Sequence, residues 1–562
     1  MAKLVKKKKK KLGLGRVSAA PDGRETSPYR PKFVPKAPPC VDACPNANDI
    51  RKVLRTIADT EGYERSYDES FREAWGLVTA RNPLPATCGR VCPHACESAC
   101  NRTEVDGAVS INAIERFIGD YGINHGLELA RVSDETRDEK VAIVGSGPAA
   151  LSCAYQLASR GYSVTIFEAF SKPGGMLRYG IPRYRLPAEI LDTEIQKILD
   201  LGVSLRCNTT VGADVPYEDL KRDFQAVFVA IGAHRGLKLR VDGEDASNVF
   251  SGTQFLNKVN SGETVDLGDK VIVIGGGDTA IDAARVARRL GANTTILYRR
   301  TIDEMPAIDE EIEGAKEEGV TIEFLAAPVK IHRANGEATG MSCIRMELGE
   351  PDASGRRRPV PIEGSEFDVE ATAIIAAISQ EPDFTGLEML RMAPDWIKVD
   401  ETGQTADSGT FAGGDVLDLG LATTAISQGR MAAESIVRGL TGESSGIVET
   451  LPIVKHTEMN LTYYEKAPRH EPADIPVEQR LSDGEAEVRQ SLTEEDVIAE
   501  AKRCMSCGQC YDCGNCWSYC QDQAVVKPLV KGEAYKLKLE VCQGCKKCAE
   551  ECPCGYVELF LP

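Results

Sequence analysis

Apolar residues recur at Ile50, Val53, Leu54 and Ile57, three to four positions apart, so the stretch 45–85 predicts amphipathic helix. Val141 to Val144 is instead an unbroken apolar run, followed by glycines and then by alanine-rich sequence at helical spacing. That succession predicts a strand buried on both faces, a tight turn and a helix. It begins again at Lys270. Two related starts of this kind predict two α/β units with parallel strands, not a solenoid of short repeats. Strand-rich sequence continues to about Asp383, and Thr410 to Arg438 closes this part. The remainder falls into a basic, proline-rich tail expected to be mobile (1–37), a helical region (38–135), a mixed, charged linker (441–500) and a small cysteine-dense module (501–562). Within the linker, helix is expected near Thr493 to Lys502.

Composition narrows the classes. The chain has 562 residues with 42% hydrophobic content, enough for several globular cores. Its net charge of −18 disfavours nucleic acid as the main partner. Lys6 to Lys11 run against that acidity and read as a solvated tail, or as an arm for an acidic partner or an anionic membrane. The basic start continues into Gly13, Leu14 and Gly15, not into an apolar stretch, so no signal peptide is expected. No run approaches the roughly 18–20 apolar residues of a spanning helix. A cytoplasmic protein with no integral membrane segment is expected. Of 20 cysteines, six lie between Cys40 and Cys100 and eleven between Cys504 and Cys554. Tight C-x2-C and C-x3-C spacing without a secretion signal points to metal ligation over disulfides. The remaining Cys153, Cys207 and Cys343 are isolated and read as core thiols. The six histidines are scattered and read as structural or surface residues.

The first turn carries Gly145, Gly147 and Ala150 in G-x-G-x-x-A form between strand and helix. Gly145 permits the tight turn and Gly147 lets a pyrophosphate approach the backbone. Ala150 allows close helix–strand packing, and the helix N-terminus turns its amides to the phosphates. Glu168, 23 residues after Gly145, is placed to accept hydrogen bonds from ribose hydroxyls. The second turn carries Gly275, Gly277 and Ala280, and the same offset lands on Tyr298, followed by Arg299 and Arg300. Without the carboxylate, and with two arginines able to pair a 2′-phosphate, NADP(H) is favoured over NAD(H). The plainer alternative is a solvated arginine face with the tyrosine stacked on adenine.

"SKPGGMLRYGIPRYRLP" (171–187), "FVAIGA" (228–233) and "FAGGD" (411–415) follow in order. With these motifs the chain resembles the two-dinucleotide-domain flavoproteins, and more closely the small subunit of bacterial glutamate synthase and its relatives, over about residues 38–440. The resemblance implies FAD in the first site, held by Gly145, Gly147, Pro148, Ala149, Glu168, Gly175, Met176, Leu177, Arg183, Val211, Ala230, Gly232, Gly414, Asp415, Thr424 and Ala425. Asp415 would face the flavin ribitol, with Thr424 and Ala425 near the isoalloxazine ring. It implies NAD(P) at Gly275, Gly277, Asp278, Thr279, Ala280, Tyr298, Arg299 and Arg300. The FAD domain is then discontinuous, 136–240 and 380–440, around an NAD(P) domain at 241–379. The fold class is α/β, with two Rossmann-like domains, an N-terminal α-helical iron–sulfur domain and a C-terminal bacterial-ferredoxin-like α+β domain.

"PPCVDACPNANDI" and "NPLPATCGRVCPHACESACNR" are similar to the same family's helical cluster domain. Carried over residue by residue, one 4Fe–4S cluster would use Cys44, Cys92, Cys96 and the carboxylate of Glu115. Complete members hold two clusters there, but the upstream cysteine pair is missing from "KFVPKAPP". Cys40 and Cys100 are then too few for a site, and one N-terminal cluster is expected. At the C-terminus, Cys510, Cys513, Cys516 and Cys520 match C-x2-C-x2-C-x3-C, as do Cys542, Cys545, Cys548 and Cys552. In this pattern the fourth cysteine of each run ligates the other cluster. The expected sets are Cys510, Cys513, Cys516 and Cys552, and Cys520, Cys542, Cys545 and Cys548. Cys88, Cys504, Cys507 and Cys554 are unassigned, and the last three leave the register of the first run open. Three 4Fe–4S clusters, about twelve irons, are expected in all.

These parts describe an NAD(P)H:acceptor oxidoreductase whose cofactors carry the chemistry, with no acid–base triad. The ferredoxin end resembles the iron–sulfur flavoproteins that serve dissimilatory sulfite reductase, which makes that enzyme the leading redox partner. A 2-oxoacid:ferredoxin oxidoreductase, a glutamate-synthase-like acceptor or a non-catalytic electron-wiring role are the alternatives. A homodimer is among the expected assemblies.

Overall fold

The computed structural model describes residues 18–19, 25–353, 355–391, 396–442 and 451–562. The lysine run Lys6 to Lys11 lies outside the described residues. Two five-stranded parallel sheets form the centre. The first runs Thr410–Ala412, Ala226–Val229, Lys140–Val144, Ser163–Phe167, Ser204–Arg206 from edge to edge. Its middle strand is buried from Val141 to Val144, which is why that segment is continuously apolar and not alternating. Helix Pro148–Ala158 follows the first glycine turn, and the long helix Ala422–Thr441 packs on it. The two approach so closely that a Cβ on Gly429 would lie 2.0 Å from the Ala149 carbonyl oxygen. Ser152 Oγ also donates to the Ile426 carbonyl at 2.7 Å.

The second sheet runs Thr321–Phe324, Asn293–Tyr298, Lys270–Ile274, Ala373–Ala376, Val249–Ser251. An antiparallel unit is inserted before its Ala373–Ala376 strand, with Glu337–Pro351 pairing Ala326–Ala334, Arg357–Pro361 and Phe367–Glu370. Helices Ile50–Ala58, Tyr67–Thr79, Pro85–Val91 and Ile111–Asn124 form the N-terminal domain. Ile50, Val53, Leu54 and Ile57 all face its core. No helix among the described residues is long and apolar enough to cross a membrane.

The expectation of a mobile tail over 1–37 does not hold for its last residues. Arg30–Phe33 pairs antiparallel with Val557–Phe560, so the two ends of the chain share a sheet. Lys36 is buried, with Nζ 2.9 Å from Glu458 and 3.0 Å from Glu558. Two carboxylates and a strand partner over five hundred residues away order this segment, and neither is visible in its own composition. The expected linker is also docked from residue 451 onward. Val454 is fully buried, Arg469 pairs with Glu97 at 2.6 Å, and Val488 N donates to the Tyr184 carbonyl at 3.0 Å.

Candidate functional site

One cavity opens at the carboxyl ends of the first sheet's strands. This is where open α/β sheets bind their ligands. Gly145, Gly147, Pro148, Ala149, Glu168, Gly175, Met176, Leu177, Val211, Ala230, Gly232, Gly414, Asp415 and Ala425 line it. Gly145 has φ +97°, and a Cβ there would sit 2.3 Å from the Ala230 carbonyl oxygen, so the turn needs glycine. A Cβ on Gly147 would meet no protein atom within 4 Å and would stand in the cavity itself. Glu168 accepts from Ser146 Oγ and, at 2.7 Å, from Phe170 N. Burial raises its pKa against these bonds. Asp415 is pushed up to about 6 by desolvation, opposed by the Gly420 amide that donates to it at 3.2 Å. A glycine turn at a helix N-terminus and the carboxylates of Glu168 and Asp415 in one cavity fit an extended dinucleotide such as FAD.

Two expected residues lie elsewhere. Arg183 turns away to Glu485 at 2.9 Å and the Asn260 carbonyl at 3.2 Å, so it braces the docked segment 451–500, a strap across the surface, and not the cavity. Thr424 does not line the cavity, whose wall at this helix is made by Leu421, Ala422 and Ala425. In the other direction, His234 lines the cavity and packs edge-on to Phe170. Desolvation lowers its pKa to about 4, so it is neutral near pH 7. Only its place directly after "FVAIGA" could have singled it out.

The second turn reaches the same cavity. Asp278 and Thr279, at the start of helix Asp278–Arg289, line its wall. Gly275 has φ +148° and lies against the Ala377 carbonyl, while Gly277 is open, with Pro306 nearest to its would-be Cβ at 3.9 Å. Ala280 is fully buried behind the turn. Tyr298 does not present its ring for adenine stacking. The ring packs under Gly276, and the hydroxyl donates to the Glu304 carbonyl at 2.7 Å. Nor are the two arginines equivalent. Arg300 is buried, bonded to Asp352 at 2.7 Å and to the Arg357 carbonyl at 2.7 Å. Arg299 is exposed and makes no hydrogen bond or ion pair with another described residue. Of the two guanidinium groups, only that of Arg299 is left uncommitted among the described residues. Arg299→Glu is expected to weaken NADPH binding by about 10–100-fold, the worth of a charge-assisted bond, and to spare NADH. Isothermal titration with both nucleotides checks this.

The cysteines gather into groups. Burial raises the thiols of Cys44, Cys92 and Cys96, and each also feels the charge of Glu115. Glu115 stands on helix Ile111–Asn124, its pKa pushed up to about 7 by desolvation. Asn82 and Asn48 donate to its Oε1 at 2.9 and 3.3 Å, which orients the carboxyl and leaves Oε2 free of them. Cys88 is buried beside Cys92 and bonds to Asn82 at 3.7 Å. In the ferredoxin module Cys510, Cys513, Cys516 and Cys552 line one cavity. Cys554 lines it too, its Sγ 3.9 Å from that of Cys552. Cys545 and Cys548 both interact with Cys520 and Cys542. Thiolate groupings of this kind suit iron–sulfur clusters. Two of the four thiols set aside as unassigned, Cys504 and Cys507, line a separate cavity with Cys40 and Cys100. The expectation that Cys40 and Cys100 stand alone is therefore incorrect.

Comparison with known proteins accords with this arrangement. Residues 139–429 match the family described as pyridine nucleotide-disulphide oxidoreductase. Residues 34–127 match that described as dihydropyrimidine dehydrogenase domain II, 4Fe-4S cluster. The NADPH-Fe(3+) oxidoreductase subunit beta of Geobacter sulfurreducens is 38% identical over 521 residues, covering 85% of this chain and 76% of that protein. The NADP(+)-dependent formate dehydrogenase subunit beta of Moorella thermoacetica is 39% identical over 533 residues, covering 88% of this chain and 73% of that one. The NADPH glutamate synthase small chain of Escherichia coli K12 is 35% identical over 431 residues, covering 72% of this chain and 89% of that one.

Proposed function

We propose that this chain, which belongs to the pyridine nucleotide-disulphide oxidoreductase family among the glutamate synthase small-subunit-like iron–sulfur flavoproteins, is the NADPH-oxidising subunit of a larger electron-transfer enzyme. The observation that carries this reading is the shared cavity. Asp278 and Thr279 of the nicotinamide turn open onto the space lined by the flavin turn, so both ligands can meet there. When bound, FAD would supply a centre that accepts the two electrons of a nicotinamide hydride and could release them singly to 4Fe–4S clusters and a protein acceptor.

The chain's own residues bind and orient. Gly147 leaves room for the pyrophosphate, and the helix it caps turns free amides toward it. Glu168 is held by Ser146 and the Phe170 amide, fixed for ribose hydroxyls. Arg299 stands free for the 2′-phosphate. Neutral His234 and the apolar wall of Leu177, Ile181 and Leu387 limit water at the cavity. The ligand sets Cys44, Cys92, Cys96 and Glu115, then Cys510, Cys513, Cys516 and Cys552, then Cys520, Cys542, Cys545 and Cys548 belong to this reading, as does a cytoplasmic location.

Anaerobic titration with NADPH tests it. Bleaching of the flavin absorbance at about one equivalent is expected, followed by reduction of a one-electron dye. No bleaching with either nucleotide would favour an electron-wiring role instead. Among acceptors, dissimilatory sulfite reductase is favoured by the sequence of the ferredoxin end. Its recovery with the chain from native extract supports that choice, and recovery of a 2-oxoacid oxidoreductase without it overturns it.

A further inference from the structure

We propose that Cys40, Cys100, Cys504 and Cys507 ligate a fourth 4Fe–4S cluster at the junction of the N-terminal domain and the ferredoxin module. All four line one cavity, whose other walls include Leu54, Val109 and Ile111. Four hundred residues separate the halves of this quartet, and three features indicate that it is built to hold a group.

The first is the arrangement of two short helices. Cys40 lies on Pro39–Asp42, with Cys44 just beyond its end. Cys96 lies on Ala95–Ser98, with Cys100 just beyond its end. Each element therefore gives one thiol to the Glu115 group and one to this quartet. The second is the backbone of the Cys504–Cys507 turn. Ser506, the residue before its second cysteine, has φ +51°. Asp512 and Gly544 hold the matching place in the turns Cys510–Cys513 and Cys542–Cys545, with φ +62° and +75°. A serine in the left-handed region is costly and persists only where its surroundings require it. The supposedly spare C-x2-C thus has the conformation of the two turns that open the ferredoxin runs.

The third is charge and hydrogen bonding. Four thiolates around an iron–sulfur core leave net negative charge in an apolar place, which needs compensation. Arg51 lines the cavity and donates from Nη1 to the carbonyls of Lys36 at 2.9 Å and Cys507 at 2.8 Å. Arg102 and Arg503, both buried and both also paired with Asp106, stand beside Cys100 and Cys504 in the chain or in space, so Arg51 is the less committed charge. Backbone amides of Val109 and Arg102 are directed at Cys100, and that of Ser506 at Cys504. Amides aimed at sulfur stabilise thiolate and tune cluster potential.

A single zinc ion would draw the four sulfurs to about 2.3 Å from one point, and the metal counts below separate it from a cluster. The position also suits a relay. The quartet shares its two short helices with the Glu115 group, and Arg51 with the cavity of Cys510 and Cys513. The role in a relay rests on the electron-transfer reading, but the site itself does not.

The test is iron, acid-labile sulfide and zinc per FAD in the anaerobically reconstituted full chain, with spin quantitation after dithionite reduction. Wild type is expected to hold about sixteen irons, and Cys504→Ala and Cys507→Ala about twelve each. Cys343→Ala, which removes a distant core thiol, is expected to match wild type. Flavin bleaching by NADPH should survive in all of them, and its failure would strike the proposed function and not the cluster. About twelve irons in wild type, an unchanged count in both cysteine variants, or one zinc with twelve irons overturns the proposal. If the variants do not fold, the wild-type count and about four spins per chain, against three, still decide it.

Discussion

Gly147→Val is expected to yield a folded, iron-containing protein that has lost its flavin. The backbone at Gly147 has φ −70° and ψ −178°, extended geometry that valine adopts readily. Its Cβ direction is empty of protein atoms and points into the cavity lined by the flavin turn. The new side chain therefore collides only with what binds there. Forcing methyl groups into a close-packed contact costs about 1–3 kcal/mol or more, so flavin affinity should fall at least 10–100-fold. Valine is a poorer helix cap than glycine, and roughly 1 kcal/mol of stability should be lost as well. The comparison to make is with flavin-stripped wild type, since bound FAD itself stabilises the native state. Visible absorbance, flavin titration and iron content are the readouts. Gly145→Val separates the causes. Its φ of +97° and the Ala230 oxygen 2.3 Å from its would-be Cβ make it lose fold and flavin together. Retention of wild-type flavin affinity in Gly147→Val would remove FAD from this cavity.

The largest effect on stability is expected at Glu500. It is fully buried on helix Glu494–Lys502 and accepts from Ser110 N at 2.9 Å, His470 N at 2.6 Å and Arg503 Nη1 at 2.8 Å. Ser110 caps the helix that carries Glu115, His470 belongs to the docked strap, and Arg503 precedes Cys504. One carboxylate thus joins three segments at the base of the cysteine cavities. Glu500→Ala leaves two amides and part of a buried guanidinium without partners, for a loss of about 3–5 kcal/mol. Arg503 keeps Asp106 at 3.1 Å and the Ala108 carbonyl at 2.9 Å, which limits the damage. Glu500→Gln, which retains an acceptor, should lose less, and exposed Glu495→Ala should be silent. Denaturant unfolding of the three variants checks the order. A loss below about 1 kcal/mol in Glu500→Ala would mean that the strap and helix are held elsewhere.

The two dinucleotide units were legible because their signals are local. A glycine turn, its strand and its helix occupy some thirty consecutive residues, and the positive φ at Gly145 and Gly275 is a property of the turn itself. The paired C-x2-C-x2-C runs at the C-terminal module are local signals too, since that spacing is set by a single loop. The arginines show where such reading stops. Arg299 and Arg300 are equal in the sequence, but both lie in the bend after strand Asn293–Tyr298, where the chain path turns only Arg300 inward to bond Asp352.

Sequence pattern alone was sufficient for the family, the two dinucleotide turns, the cysteine-rich ends and the nature of the cofactors. The tertiary path settled the rest. It brought Arg30–Phe33 onto Val557–Phe560, docked the strap through Arg469 and Glu500, turned Arg183 outward, and closed Cys40 and Cys100 with Cys504 and Cys507. These are contacts between segments hundreds of residues apart. No periodicity records them, because burial and charge pairing select the partner only once the chain has closed its long loops.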